Sequence, residues 1–195
     1  MAQLLGLLLI YVIFVSEGGF KWDRPGTSDL FYAAFCGRYC MINVTLNVNN
    51  EDYQVEVAPF HTLCDVLRNK LDFTDVKNGC SQGECGSCAV LVDGRAVNSC
   101  LMLAAQAQGK KITTARGLAT DGKLHTLQEK FIEYGAIQCG YCTPGMLIVA
   151  KALLDKSPNP TEEEVRIAIS GNICRCTGYQ QIVEAIMATA YEMNR

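Results

Sequence analysis

The chain has 195 residues, 49% of them apolar and 19% charged, with a formal net charge of −3. That length accommodates one large domain or two small ones, and the apolar share excludes a disordered chain. No basic stripe stands out, so nucleic acid is not an expected partner. Eleven cysteines are high usage for this size. Secreted disulfide scaffolds are cysteine-rich too, but they are shorter and have weaker cores. Tight cysteine pairs and a glycine-rich cysteine loop read instead as free thiolate ligands. Those need a reducing compartment, and the cytoplasm is the expected location.

Residues 1–40 do not match the rest. Leu4 to Val15 is an apolar run too short to span a bilayer comfortably and without a preceding Lys or Arg. Arg24 stands alone, so there is no twin arginine. From Glu17 to Tyr39 the composition is mixed and aromatic, without period. The preferred reading is that the natural start is Met41, with the first forty residues an extension outside the fold. The alternative is a hydrophobic tail that docks on a partner or, through residues 4–15, on a membrane. Cys36 and Cys40 lack two further nearby ligands and read as incidental.

From Met41 the pattern has period two. Ile42, Val44, Leu46 and Val48 alternate with Asn43, Thr45 and Asn47, which predicts a half-buried strand. Asn49-Asn50-Glu51-Asp52 is turn chemistry, and Tyr53, Val55 and Val57 then predict the second strand of a hairpin. Thr62 with Asp65 predicts a helix N-cap, with Leu63, Val66, Leu67 and Leu71 as the apolar face. Cys64 inside this helix reads as a small buried hydrophobe.

Next comes Asn78-Gly79-Cys80-Ser81-Gln82-Gly83-Glu84-Cys85-Gly86-Ser87-Cys88. Cys80, Cys85 and Cys88 stand at C-x4-C-x2-C, the spacing by which plant-type ferredoxins hold a 2Fe–2S cluster. Iron takes soft thiolate ligands, and such a loop must curl tightly and aim backbone N–H groups at the sulfurs. Gly79, Gly83 and Gly86 permit that curl. A four-cysteine zinc site is the alternative, although zinc usually takes two C-x2-C knuckles. A Rieske site needs two His ligands beside its cysteines, and His61 and His125 are not so placed. Ala89–Val92, the turn Asp93-Gly94 and Ala96-Val97 predict a hairpin that ends at Cys100. Leu101 to Ala107 reads as a helical turn or two, and Ile112-Thr113-Thr114 as a closing strand. Residues 41–118 thus predict a small α+β domain.

After the turn Asp121-Gly122 nearly everything reads as helix. Thr126 and Glu129 suggest a capping box, with Leu127, Phe131, Ile132 and Tyr134 behind it. Thr143-Pro144 reads as N-cap and first residue of a second helix, carrying Met146, Leu147, Ile148, Val149, Leu153 and Leu154 and apolar nearly all round. Pro158-Asn159-Pro160 ends it. Thr161 and Glu164 cap a third helix that runs through Ile169 to Gly171-Asn172. Thr177 and Gln180 suggest the cap of a fourth, with Ile182, Val183, Ile186, Met187 and Tyr191 inward. Residues 119–195 predict an all-α four-helix bundle.

This half carries Cys139-Gly140-Tyr141-Cys142 and Cys174-Arg175-Cys176, both just before helix N-termini. The partial positive charge there suits a thiolate cluster. Zinc competes more strongly here, since C-x2-C is a common zinc knuckle, while C-x-C is less usual for it. Four thiols in two adjacent pairs look more like a cage than disulfide staples. The chain offers no evident base or nucleophile and no phosphate-binding glycine loop.

From Met41 to the C-terminus the sequence resembles the small iron–sulfur subunit of the molybdenum hydroxylases, the xanthine dehydrogenase family, with bacterial nicotinate and xanthine dehydrogenase subunits the nearest in kind. The motifs that carry the likeness are Gly79 to Cys88, Gln138-Cys139-Gly140-Tyr141-Cys142-Thr143-Pro144-Gly145, and Gly171-Asn172-Ile173-Cys174-Arg175-Cys176-Thr177-Gly178-Tyr179. The resemblance implies an α+β chain, a plant-ferredoxin-like β-grasp domain followed by an all-α helical domain. It implies two 2Fe–2S clusters, one on Cys80, Cys85, Cys88 and Cys100, the other on Cys139, Cys142, Cys174 and Cys176. It further implies that Gln138 meets a molybdopterin cofactor at a subunit interface. The partners it implies are a molybdopterin-binding large subunit, which hydroxylates an N-heterocycle or aldehyde, and an FAD-binding medium subunit, with this chain moving electrons between them. A stand-alone ferredoxin-type carrier and a zinc-stabilised interaction module are the rival readings.

Overall fold

The computed structural model describes residues 41–195, and these form one compact unit. The expectations for the Leu4–Val15 run and for Cys36 and Cys40 lie outside the described residues. Among the described residues no helix is long and apolar enough to cross a membrane.

The first half is a five-stranded mixed sheet in the order β2-β1-β5-β3-β4. Strand β1 (Ile42–Val48) pairs antiparallel with β2 (Glu51–Val57), Ile42 opposite Val57. The alternation read from sequence is the pleat: Val44, Leu46 and Val48 are buried, while Asn43 and Thr45 face solvent. The turn is shorter than its composition suggested. Asn49 and Asn50 alone form it, with φ of 54° and 69°, and Glu51 and Asp52 already belong to β2. Two consecutive positive φ values give the twist that a two-residue hairpin needs. The connection between β3 (Ala89–Val92) and β4 (Arg95–Asn98) repeats it with Asp93 at 50° and Gly94 at 78°. Strand β5 (Lys111–Thr113) closes the sheet, parallel to β1 and antiparallel to β3.

Helix α1 (Leu63–Asp65) starts at the expected capping box, Thr62 Oγ1 accepting from the Asp65 N–H at 3.1 Å, and widens into a π-helical stretch over Val66–Lys70. Its Leu63, Val66 and Leu67 are fully buried against the sheet. The segment after β4 is two 3₁₀ turns, Ser99–Leu101 and Ala104–Ala107.

The second half holds helices α2 (Thr126–Glu133), α3 (Thr143–Lys156), α4 (Glu162–Ile169) and α5 (Gln180–Met193). Three caps differ from expectation. For α2 the box is His125 and Gln128, not Thr126 and Glu129: His125 Nδ1 accepts from the Leu127 N–H at 3.1 Å and Gln128 Oε1 from the His125 N–H at 2.9 Å. Leu127 and Phe131 are buried as expected, whereas Ile132 and Tyr134 are exposed. For α3 the N-cap is Cys142 rather than Thr143, with Pro144 in the first turn. For α5 it is Tyr179, and Thr177 turns elsewhere. Tyr191, expected inward, is 72% exposed, because Ile182, Val183, Ile186 and Ala190 take the inward stripe.

The described residues form two hydrophobic cores. Leu46, Val48, Leu67, Val90 and Ile112 belong to the sheet–α1 core, and Phe131, Met146, Ile148 and Ile186 to the helical one. Strand β3 serves both. Val90 and Val92 point into the first core, Ala89 and Leu91 into the second, where α3 packs on the strand. This explains why Ala89–Val92 is apolar without alternation.

Candidate metal centres

Cys80, Cys85 and Cys88 lie on the irregular loop between α1 and β3, and Cys100 on the 3₁₀ turn that follows β4. The β3–β4 hairpin brings the last two together. Ala89 pairs with Asn98, and just beyond that register Ser99 Oγ donates to the Cys88 carbonyl at 2.7 Å. The Cys88 thiol bears directly on the titration of Cys100, and the Cys85 thiol on that of Cys80. The loop curls over glycines as its composition required: a Cβ on Gly79 would lie 2.9 Å from Cys85 Sγ, and Gly83 takes φ of 80° beneath Leu101. Cys80 Sγ accepts from the Gln82 N–H at 3.3 Å. That amide, with those of Cys85 and Glu84, lowers the Cys80 thiol to about 7. Burial and the neighbouring Cys88 push Cys100 up to about 12.

In the second set, Cys139 sits on the α2–α3 loop, Cys142 caps α3, and Cys174 and Cys176 lie on the α4–α5 loop. They also meet two by two. The sulfurs of Cys139 and Cys176 are 3.5 Å apart and exposed; Cys142 and Cys174 are buried and shift one another's titration. Within each pair the thiols shift in opposite senses. The Tyr141 N–H and the Cys176 thiol lower Cys139, and Cys139 raises Cys176. Burial and Cys174 push Cys142 up to about 12, whereas burial opposes but does not prevent a lowered Cys174, held by Thr177. Two adjacent thiolates repel, and a cation between them removes that penalty.

Among the described residues no three His, Cys, Asp or Glu side chains converge on a point where one metal ion could sit. This matters for the choice of metal. Structural zinc gathers four donors around one ion. A 2Fe–2S cluster divides its four cysteines between two irons. Thiols that meet in pairs, with amide donors and glycine curls around them, fit the second arrangement.

The two cysteine sets are tied together through hydrogen bonds that the motifs themselves do not predict. The Ile173 N–H donates to the Cys85 carbonyl at 3.0 Å, and buried Asn172 donates to the Gly86 carbonyl at 3.0 Å. Tyr141 Oη donates to the Asn78 carbonyl at 2.8 Å. Asn172 stands at a helix end in the sequence pattern, and no periodicity encodes a bond between loops so distant in sequence. Gln138 is exposed beside Cys139. Cys64 is a core thiol as expected, 1% exposed and raised by burial to about 11.

Comparison with known proteins matches residues 46–119 to the 2Fe-2S iron-sulfur cluster binding domain family and residues 114–187 to the [2Fe-2S] binding domain family. The nicotinate dehydrogenase small FeS subunit of Eubacterium barkeri is 52% identical over 145 residues, covering 74% of this chain and 92% of that protein. The chain belongs to the small iron–sulfur subunits of the molybdenum hydroxylases. The xanthine dehydrogenase iron-sulfur-binding subunit of Escherichia coli O157:H7 is 44% identical over 148 residues, 75% of this chain and 92% of the relative. Among solved structures, quinoline 2-oxidoreductase from Pseudomonas putida 86 superposes with a TM-score of 0.76 at 43% identity, covering 80% of this chain and 97% of the matched one. As such a small subunit the protein carries two 2Fe–2S domains, a ferredoxin-like sheet and a helical part, and serves in electron transfer within a larger oxidoreductase.

Proposed function

We propose that Cys80 and Cys85 share one iron of the first cluster and Cys88 and Cys100 the other. Cys139 and Cys176, and likewise Cys142 and Cys174, would share the irons of the second. The pairing of the thiols carries this assignment. When bound, each cluster takes up and gives back one electron. The chain's own part is to hold the thiolates in place, to direct amide hydrogens at their sulfurs and to keep water from Cys88, Cys100, Cys142 and Cys174, all buried. Residues 41–118 would form the ferredoxin-like half and 119–195 the helical half.

The partners would be a molybdopterin-binding large subunit, which oxidises an N-heterocycle or aldehyde, and an FAD-binding medium subunit or another acceptor. The exposed edge at Gln138, Cys139 and Cys176 supports the helical half as the side that meets the molybdopterin subunit, with Gln138 against the cofactor. The nine free thiols among the described residues support a reducing compartment, the cytoplasm.

The test is an iron and acid-labile sulfide count on anaerobically purified protein, with its visible and EPR spectra. Four irons and four sulfides per chain are expected, and Cys139→Ser should abolish one EPR signal and spare the other. Zinc without colour would replace this reading with an interaction module. Half the iron would leave a ferredoxin-type carrier, and loss of both signals in C139S would end the two-site assignment.

A further inference from the structure

The turn Cys174-Arg175-Cys176-Thr177-Gly178-Tyr179 contains a hydroxyl whose hydrogen bonding is over-determined. Tyr179 takes φ of 70°, in the left-handed region that bulky residues avoid, so something must hold it there. Two bonds do. The Cys174 N–H donates to Tyr179 Oη at 2.9 Å, and the Tyr179 N–H donates to Thr177 Oγ1 at 3.2 Å. Thr177 Oγ1 therefore already accepts. It lies 3.0 Å from Cys174 Sγ, and both residues are buried, Thr177 at 9% and Cys174 at 8% exposure. A hydroxyl has one hydrogen to give, and a metal-bound thiolate has none. In the assembled protein the direction of this bond is therefore fixed, from oxygen to sulfur.

We propose that Thr177 donates this hydrogen bond to the Cys174 sulfur and thereby raises the reduction potential of the second cluster, an inference that rests on Cys174 being one of its ligands. The one-electron reduced cluster carries an extra negative charge, part of it on the ligand sulfurs. A donor aimed at such a sulfur stabilises the reduced form more than the oxidised one. The hydroxyl proton stays on Thr177 throughout. Exclusion of water around both residues strengthens the bond. Thr177 acts through Cys174 and is thus a positioning residue. Cys174 Sγ also accepts from the Thr177 N–H at 3.5 Å, a main-chain donor like the Gln82 N–H at Cys80, and a substitution of the Thr177 side chain leaves that amide in place.

The experiment is an EPR-monitored redox titration of the whole purified complex, native, Thr177→Val and Thr177→Ser. In T177V the second cluster's oxidised-to-reduced ratio should rise about tenfold at a given potential, a fall of about 59 mV for a one-electron couple. The first cluster should not move, and T177S should restore the native value. A second-cluster potential unchanged in T177V, with both signals present, overturns the proposal. So does an equal fall in T177S. If T177V does not keep the cluster, deuterium ENDOR of the native complex after exchange into D2O decides. A rapidly exchanging deuteron coupled to the second cluster supports the bond, and its absence overturns it. Absence of the second signal from the native complex overturns the ligand assignment itself.

Discussion

Gly145 lies in the first turn of α3, where replacing glycine by alanine ordinarily gains about 1 kcal/mol of helix propensity. Here the opposite sign is expected. An added Cβ would sit 2.6 Å from the Gly86 carbonyl oxygen, 2.8 Å from Asn172 Nδ2 and 3.2 Å from Ser87 Cα. The first and last are backbone and cannot swing aside. Overpacking of this kind costs about 1–3 kcal/mol. Moving the Asn172 amide off the Gly86 carbonyl, a buried bond of 3.0 Å, costs about 1–3 kcal/mol more. After the propensity gain, roughly 3 kcal/mol of destabilisation remains, about 6–12 °C in apparent Tm for a chain of this size. The assay is loss of visible circular dichroism on heating the cluster-loaded protein, at one scan rate for native and G145A. An unchanged Tm, or the small rise that propensity alone gives, would refute the close approach of α3 to the first cysteine loop.

Cys64→Ala should keep four irons per chain and both EPR signals, at a stability cost of about 1 kcal/mol for the lost sulfur. Iron loss in C64A would show that a non-ligand thiol had been misread. The α2 cap should be pH-dependent. Burial, with Lys151 adding, holds the His125 imidazole below its ordinary 6.5, and protonation of Nδ1 would displace the Leu127 N–H it accepts. A depressed folded value means that the cap's stabilisation is full above about pH 6.5 and is lost as pH falls below it. His125→Asn, which accepts without titrating, should therefore flatten the fall in thermal stability between pH 7 and pH 5; an identical slope in both proteins would count against the cap.

Much of this arrangement is legible in the sequence, for reasons of local chemistry. The period-two run at Ile42–Val48, the Thr62/Asp65 and Thr161/Glu164 boxes and the Asp93-Gly94 turn each encode their structure within a few residues. The cysteines announce themselves by spacing. What escaped was settled by competition or by distance. His125 caps α2 although it is not a usual capping residue, because its Nδ1 is a free acceptor and Gln128 stands three positions on. Thr177, a good capping type, is drawn to Cys174 and Tyr179 instead, as side chains that bond the local backbone often are. The Asn172–Gly86 and Ile173–Cys85 bonds join loops that meet only when β3 and α3 have packed, and no short-range pattern records them.

The shared strand has a consequence for how such a protein can be taken apart. A fragment ending near Leu118 would keep β3 paired on both edges yet expose Ala89 and Leu91, which now rest among the helices. A helical fragment beginning there would lose the floor under α3. Neither piece inherits a complete surface, so limited proteolysis between β5 and α2 should leave the cut halves associated rather than release a free ferredoxin. The sheet and the helices are thus held as one unit of folding by the same four residues, Ala89 to Val92.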